Sequence, residues 1–151
     1  MENNEKTKRI ILIAKAMVFN DEGKLLMVRR DRPCHKESHN HWEMPGGKVE
    51  FGEHPSKTAE RETLEESGFE VEVVKMIPHI ESRVWEHPDR LSNVVVICFV
   101  CKLKGGSAST EDHGVNKVEW FDLNNLPSVD DMLPGTIEFV EAYKEGLKNE
   151  Q

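Results

Sequence analysis

Apolar residues near the start of the chain fall into two runs that a polar turn separates. The first run, IILIAKAMVF at 10–19, is followed by the turn NDEG and then by KLLMVRR at 24–30. Two such runs joined by Asn, Asp and Gly are typical of a β-hairpin. The pattern therefore predicts two antiparallel strands, the first of them buried, followed by a polar loop over 31–41.

The rest of the chain contains more strands than helices. Segments with the pattern of strands are FEVEVVKMI (69–77), HIESRVWEH (79–87), SNVVVICFVCKL (92–103) and KVEWF (117–121). One helix is predicted to begin at Pro55 and to stop before Gly68, and TIEFVEAYKEGL (136–147) has the period of an amphipathic helix. WEMPGGKVEFGEHP (42–55) contains too many Pro and Gly for regular structure. Strands with one helix between them in the chain predict an α+β fold, a mixed sheet flanked by helices.

The first of these helices is rich in glutamate. Residues 60–68 read ERETLEESG, and Glu62, Glu65 and Glu66 project from one face because they are three and four positions apart. Like charges at this spacing repel one another weakly. A solvated helix surface is one explanation, since glutamate favours helices. A cation site is the other, because no face of the helix is cleanly apolar.

Length and charge restrict the class of protein. At 151 residues the chain is long enough for a substantial core, and we expect a single domain over 1–151. The formal net charge is −8, which argues against nucleic-acid binding through a basic surface. No apolar run approaches the length of a membrane span, and the first residues lack the apolar core of a signal peptide. We therefore expect a cytoplasmic protein without a membrane or nucleic-acid partner.

Cysteines and histidines offer two weaker candidates for redox or metal chemistry. Cys98 and Cys101 form a C-x-x-C, but they lie in a strand-like run, where positions three apart point to opposite faces. We expect buried free thiols, in keeping with a reducing compartment. His35, His39 and His41 lie in the polar loop, which we expect to be solvated because no partner completes a zinc pattern.

The glutamate helix is part of a longer motif. Gly47 is followed by five residues, Glu53, seven more residues and then RETLEESGF at 61–69. This arrangement resembles the Nudix box, G-x5-E-x7-R-E-U-x-E-E-x-G-U, where U is a bulky aliphatic residue. Every charged residue and both glycines match. Thr63 and Phe69 depart from the aliphatic positions, which affects helix packing and no catalytic group.

The likeness to the Nudix family extends beyond the box at 47–69. WEMPGG before it and VEWFDLNNLP after it also resemble the family, so the likeness covers 10–127. It implies a Nudix fold, an α/β/α sandwich with a mixed sheet between helices. It also implies hydrolysis by water of a nucleoside diphosphate linked to another group (NDP-X) with Mg²⁺ or Mn²⁺. The carboxylates agree independently, because hard divalent cations take oxygen ligands.

The resemblance suggests which residues hold the metal. Glu65 and Glu66 are expected as direct ligands, and Glu62 as a third ligand or as the base that takes the proton from water. The carbonyl of Gly47 is a further candidate ligand. Members of the family differ in where the base lies, so its identity is left open.

Arg61 and Glu53 complete the charged positions of the box. Arg61 is one turn from Glu65 and is expected to orient a carboxylate. The alternative is a solvated ion pair worth only about 0.3–0.5 kcal/mol. Glu53 joins the carboxylate cluster from the preceding loop and is a candidate residue of the substrate site.

Candidates outside the box are less well defined. Arg29 and Arg30 end a strand that leads towards the box, and at most one should reach the substrate phosphates, because adjacent strand residues point to opposite faces. The sequence does not say which. Trp42 could stack on a nucleobase, although packing in the core is favoured. Glu111 or Asp112 is a candidate extra base or ligand, with a solvated loop as the alternative.

The preferred function is hydrolysis of nucleoside triphosphates or of oxidised and other non-standard nucleotides, by analogy with small MutT-like members of the family. An ADP-ribose or nucleotide-sugar pyrophosphatase is the alternative within the class, with Pro88 after the box as a thin sign of it. A non-catalytic nucleotide sensor belongs to another class and is disfavoured by the complete set of glutamates. Decapping of messenger RNA would call for a basic track. A small-molecule nucleotide is the expected partner, and a homodimer is left open.

Overall fold

A computed structural model of the chain describes residues 5–110 and 114–150. Glu111 and Asp112, the candidate extra acidic residues, lie outside these ranges. The elements in chain order are β1 (Thr7–Phe19), β2 (Leu25–Arg30), β3 (Trp42–Glu43), β4 (Gly46–Lys48), α1 (Pro55–Ser67), β5 (Phe69–Met76), β6 (Glu81–Glu86), β7 (Arg90–Gly106), β8 (Val115–Phe121), a 3-10 turn (Val129–Asp131) and α2 (Thr136–Asn149). Neither helix in the described part of the chain has the length and apolar character needed to cross a membrane.

The strands form one mixed sheet. Its order is β3-β2-β1-β7-β5, and β4 pairs with β1, β6 with β7 and β8 with β2. β1 and β7 are parallel from Thr7 opposite Arg90 to Phe19 opposite Lys102, while the other strand pairs are antiparallel. The predicted α+β class with a mixed sheet is therefore confirmed.

Two sequence-based expectations about the strands need correction. The predicted hairpin exists, but β1 and β2 pair only beside the turn, at Phe19 and Leu25, because β4 takes the neighbouring edge of β1. The stretch at 42–54 was expected to lack regular structure, and this is wrong for β3 and β4. Gly46 makes β4 feasible, since a Cβ there would lie 2.5 Å from the carbonyl oxygen of Ala14 and 2.6 Å from the Cα of Lys15.

One helix covers each face of the sheet. Alternate residues of β1, Ala14 and Ala16 among them, pack in a cluster with Ala59 of α1. Met17, which points the other way, packs in a second cluster with Phe139 of α2. Two apolar clusters on opposite faces of one sheet give the α/β/α sandwich.

Local signals at both ends explain the bounds of α1. The Nδ1 of His54 accepts a hydrogen bond from the backbone N–H of Ser56 at 3.1 Å, and Pro55 fits the first turn. Gly68 ends the helix at φ 81°, a left-handed conformation that glycine adopts without strain, and its N–H donates to the carbonyl of Leu64. Thr63 is fully buried, and its hydroxyl donates to the carbonyl of Ala59 at 2.7 Å. A short side chain in the aliphatic position thus packs without leaving its polar atom unpaired.

The cysteine and histidine predictions can be compared with the structure. Cys98 lies in the cluster beneath α2 and Cys101 in the cluster beneath α1, both as buried free thiols, which confirms the expectation. Burial raises the pKa of Cys101 to about 12 and that of Cys98 further. The cysteines are therefore poorly suited to redox or metal chemistry.

In the polar loop, the Nδ1 of His39 accepts a hydrogen bond from the backbone N–H of Arg32 at 3.0 Å.

Candidate active site

Strand β4 holds the carboxylates of α1 against its own backbone. The N–H of Gly46 donates to Oε1 of Glu66 at 3.0 Å. A Cβ at residue 47 would lie 2.5 and 2.8 Å from the two carboxylate oxygens of Glu62. Gly47 therefore leaves the space in which the Glu62 carboxylate lies, and β4 lies next to two box glutamates.

Arg61 connects three carboxylates, one of which is Glu62. Its Nε and Nη2 donate to the two oxygens of Glu53 at 2.8 and 3.0 Å, a bidentate pair. Its Nη1 donates to Glu62 at 3.0 Å and to Glu65 at 3.2 Å. The structure thus places Arg61 among three acidic groups rather than in a single solvated pair with Glu65.

The pKa of Glu53 reflects this arrangement. Hydrogen bonds from Arg61 and then from Thr58 lower the pKa of Glu53 to about 2. The same pair, with Glu53 as the main cause, raises the pKa of Arg61 above its ordinary value. Both side chains therefore stay charged throughout the pH range in which the protein would work.

Glu66 is the buried member of the glutamate cluster. Only 8% of its surface is exposed to solvent. Within the described ranges it accepts one hydrogen bond, from the N–H of Gly46, and forms no ion pair. Burial, followed by the negative charge of Glu43, raises the pKa of Glu66 to about 8. The hydrogen bond from Gly46 and the charge of Lys15 offset only part of this shift, so the buried carboxylate, which has no ion pair in the described part of the chain, remains short of positive charge.

Glu43 is a residue that sequence reasoning missed. It is 4% exposed and lies on β3, where one carboxylate oxygen accepts from Nη1 of Arg30 at 3.1 Å and the other is 3.5 Å from Nζ of Lys15. The available signal was a charged residue inside the otherwise uncharged stretch WEMPGG. Its two basic partners come from different strands, which no local pattern reveals.

Arg29 and Arg30 lie on opposite faces of the sheet. Arg30 shares the α1 face with Leu26 and contacts Glu43, near the box. Arg29 lies with its guanidinium carbon 5.8 Å from the centroid of the Trp42 ring, and its Nε donates to Asn116 at 2.7 Å. Of the two arginines, Arg30 is therefore the one on the side of the glutamates.

The Trp42 ring packs against apolar neighbours on the α2 face of the sheet. Its ring meets Phe121 edge-on at 5.0 Å between centroids, and it borders the apolar cluster beneath α2. Arg29 lies over one face of the same ring, so a nucleobase could stack on that face only after Arg29 had moved. The structure thus gives Trp42 a packing role.

The acidic groups have the right chemistry for a divalent metal. The carboxylates of Glu62, Glu65 and Glu66 and the carbonyl of Gly47 are oxygen donors, which Mg²⁺ and Mn²⁺ prefer, and buried Glu66 lacks positive charge. Across residues 5–110 and 114–150, no three carboxylate, imidazole or thiol groups already converge as a metal cluster. Glu62 and Glu65 contact Arg61 instead. The donor set fits a metal, and the metal would compete with Arg61 for two of its ligands.

Comparison with known proteins identifies the family. The NUDIX domain profile matches residues 11–143, so this chain belongs to the NUDIX domain family. It is 32% identical over 116 residues to an ADP-ribose pyrophosphatase of Methanocaldococcus jannaschii, covering 74% of this chain and 62% of that protein. It is 26% identical over 137 residues to a putative 8-oxo-dGTP diphosphatase of Bacillus subtilis, covering 90% and 81%.

The share of each relative that this chain covers limits what the similarities show about activity, whereas a solved structure shows the fold. The chain spans 62%, 35% and 58% of the length of three curated relatives, so the activities of those whole proteins do not transfer directly. The crystal structure of a MutT NUDIX hydrolase from Burkholderia pseudomallei has a TM-score of 0.73 at 21% identity, covering 89% of this chain and 98% of that one. The Nudix fold is therefore confirmed.

Proposed function

We propose that the protein is a metal-dependent pyrophosphohydrolase that cleaves the phosphoanhydride linkage of a nucleoside diphosphate derivative, NDP-X, with water as the nucleophile. The observation that carries the proposal is the set of box glutamates: Glu66 and Glu62 lie at the backbone of Gly46 and Gly47, and Glu65 shares the guanidinium of Arg61 with Glu62. Relatives named as pyrophosphatases and diphosphatases support the same reaction class.

Each charged residue of the box has a role in this proposal. Glu65, Glu66 and the carbonyl of Gly47 hold the metal, and Glu62 either completes the ligands or accepts the proton of the attacking water. Mg²⁺ or Mn²⁺, when bound, lowers the pKa of water and neutralises charge on the phosphates. Arg61 positions the carboxylates of Glu62 and Glu65, while its pair with Glu53 fixes the guanidinium beside the substrate site.

Arg30 is the proposed contact for a substrate phosphate. It lies on the face of the box, and Glu43 fixes its Nη1. Its Nε is buried without a hydrogen-bond partner among the described residues, which is an unfavourable state for a donor. Nε itself is closed to solvent, so a substrate phosphate would meet the exposed remainder of the side chain, which is 29% exposed.

Exchange of each arginine for methionine tests this assignment. Arg30→Met is expected to raise KM by about ten- to a hundredfold, since one charge-assisted hydrogen bond contributes roughly 1.5–3 kcal/mol. Arg29→Met is the matched control, because Arg29 faces the other side of the sheet, and its KM is expected to change little. Steady-state kinetics on both variants provide the comparison. A larger effect from Arg29 would contradict the assignment.

Nucleoside triphosphates, including oxidised and other non-standard ones, are the proposed substrates. The likeness to a putative 8-oxo-dGTP diphosphatase covers most of both chains and favours this class. The likeness to an ADP-ribose pyrophosphatase is the observation in favour of a second candidate, ADP-ribose or a nucleotide sugar. Both candidates share the reaction and differ in the group X.

Product analysis on a substrate panel tests the function. The panel contains nucleoside triphosphates, 8-oxo-guanine nucleotides, ADP-ribose, nucleotide sugars and dinucleoside polyphosphates, each with Mg²⁺ and with chelator. We expect metal-dependent release of a nucleoside monophosphate, lost in Glu65→Gln, whose side chain is half exposed and whose exchange leaves the fold intact. Binding of a nucleotide without cleavage of any member would instead favour the non-catalytic sensor.

A further inference from the structure

Lys15 is the only charged residue in the apolar run at 10–19, and β1, which carries it, is an interior strand of the sheet. Its neighbours Ala14 and Ala16 pack in the cluster beneath α1, so the Lys15 side chain leaves β1 on the opposite face, which carries α2. Only 15% of the side chain is exposed to solvent. An ionised group in such a position needs partners, and the contacts of the ammonium group are therefore informative.

The lysine side chain reaches its partners across Gly46. Lys15 is opposite Gly46 where β1 pairs with β4. A Cβ at residue 46 would lie 2.7 Å from Cγ of Lys15, so the missing side chain leaves room for the stem of the lysine. The N–H of the same glycine donates to Glu66. Lys15 therefore crosses β4 at the residue that also holds a proposed metal ligand.

The hydrogen bonds of the ammonium group are incomplete. Nζ donates to the carbonyl of Met44 at 3.2 Å. The carboxylate oxygen of Glu43 is 3.5 Å from Nζ, whereas a charge-assisted hydrogen bond is about 2.7–2.9 Å long. An ammonium group has three N–H donors. Within the described ranges, therefore, part of this donor capacity is left for a further oxygen atom.

The charges around Glu43 favour an anion at this place. One carboxylate oxygen of Glu43 accepts from Arg30 and the other lies near Lys15, so a single negative charge faces two positive ones. The charge of Lys15 also offsets part of the rise in the pKa of Glu66. With a metal ion bound to Glu66 that second role would lapse, and Lys15 and Arg30 would exceed Glu43 by one positive charge. An excess of positive charge attracts an anionic substrate.

From these contacts we infer that Lys15 is a substrate-binding residue whose ammonium group donates a hydrogen bond to an acceptor oxygen of the nucleotide, either a phosphate oxygen or a carbonyl oxygen of the base. The inference rests on the proposed function, since it places a nucleotide beside β4. Glu43 holds the Lys15 ammonium and the Arg30 guanidinium with its two oxygens and is a positioning residue for both. A lysine that only balanced the charge of Glu43 and Glu66 would make no contact with the nucleotide.

Binding of two nucleotide analogues to the full chain tests the contact. In α,β-methylene ADP and α,β-methylene GDP the bridge between the phosphates cannot be hydrolysed, and their affinities are measured by isothermal titration calorimetry at saturating Mg²⁺. Lys15→Met keeps the length of the side chain and removes its charge. We expect this variant to bind about tenfold more weakly or worse, as loss of a charge-assisted hydrogen bond predicts. Lys15→Gln, which keeps a neutral donor, is expected to lose less affinity.

Lys8→Met is the matched control. It removes the same charge from the same strand at an exposed position, roughly 23 Å away along β1, which is beyond the Debye length at physiological salt. Its affinity for both analogues is expected to equal that of the wild type. An equal loss of affinity in Lys8→Met and Lys15→Met would show an effect of net charge alone and would overturn the contact.

The two analogues distinguish the possible acceptor oxygens. Weaker binding of the adenine analogue assigns the contact to a phosphate oxygen, because adenine has no carbonyl group. Weaker binding of the guanine analogue alone assigns it to the carbonyl of the base. Unchanged affinity of Lys15→Met for both analogues, or a wild type that binds neither, would overturn the inference.

Titration with Mn²⁺ in the absence of nucleotide separates a contact from an indirect effect on the metal site. Lys15→Met removes a positive charge near Glu66, so Mn²⁺ is expected to bind as tightly as in the wild type or more tightly. Weaker binding of Mn²⁺ together with weaker binding of the analogues would place the effect at the metal and would overturn the contact. Thermal unfolding shows that each variant is folded.

The outcome does not depend on catalysis. A wild type that binds the analogues but cleaves no member of the substrate panel would contradict the proposed hydrolase, while a loss of affinity in Lys15→Met would still support the contact. Cleavage by the wild type with unchanged affinity in Lys15→Met would leave the hydrolase standing and remove the contact.

Discussion

Glu66→Gln is expected to stabilise the metal-free protein and, at the same time, to remove most of its turnover. The amide keeps the acceptor for the N–H of Gly46 and removes a charge that is buried beside Glu43. Loss of the charge also removes a proposed metal ligand. Metal ions contribute several kcal/mol to such transition states, so turnover is expected to fall by about a thousandfold.

The stability effect has a defined pH dependence. The folded-state pKa of Glu66 is raised from its ordinary 4.5 to about 8, so the folded protein holds this proton more tightly than the unfolded chain does. In chelator, the contribution of the Glu66 proton to stability should therefore be fully present below pH 4.5 and be lost as pH rises through 8. The Glu66→Gln variant lacks this decline. The difference between its free energy of unfolding and that of the wild type therefore grows between pH 4.5 and 8 and is constant above pH 8.

Denaturant unfolding in chelator at several pH values measures this difference. Glu65→Gln is the matched control, since Glu65 is half exposed and its replacement should lower turnover without the pH-dependent gain in stability. Equal pH dependence of Glu66→Gln and the wild type would show that the Glu66 carboxylate is not destabilising in the folded protein.

Gly47→Ala is the second variant with a large expected effect. The added methyl group would lie 2.5 and 2.8 Å from the oxygens of Glu62, so the Glu62 carboxylate must move. Because the obstacle is the end of a flexible side chain, the fold should tolerate the change. A displacement of about 1 Å in an active site costs on the order of a hundredfold, and we expect turnover to fall by that factor.

Two other glycines separate the effect on the site from an effect on the fold. Gly105→Ala meets no heavy atom within 4 Å and should leave both turnover and thermal unfolding unchanged. Gly46→Ala meets the backbone of Ala14 and Lys15 and should lower stability by about 1–3 kcal/mol, as overpacking does. If Gly47→Ala retained the turnover of Gly105→Ala, the position of the Glu62 carboxylate would not matter for the reaction.

Local features of the structure could be predicted from the sequence. The bounds of α1 follow from Pro55 and Gly68, and the shared face of its glutamates follows from their spacing. The burial of Cys98 and Cys101 on opposite faces follows from strand alternation. Each of these depends on residues close together in the chain, where propensity and periodicity act directly.

Features that join distant segments could not be predicted. The contact of Glu43 with Lys15 and Arg30 depends on three strands meeting, and β4 forms only because β1 offers it an edge. The choice between Arg29 and Arg30 required the position of the strand relative to α1. Sequence patterns give the two faces of a strand but not which of them meets the helix.

The contacts of Arg61 have a consequence for how the protein exists between catalytic cycles. One guanidinium neutralises part of the charge on Glu53, Glu62 and Glu65, so a residue of the chain itself holds these three carboxylates together. On the proposed function, metal binding would be an exchange of one cation for another at Glu62 and Glu65 rather than the event that forms the helix. The chain would then stay folded when the ion leaves and could bind it again.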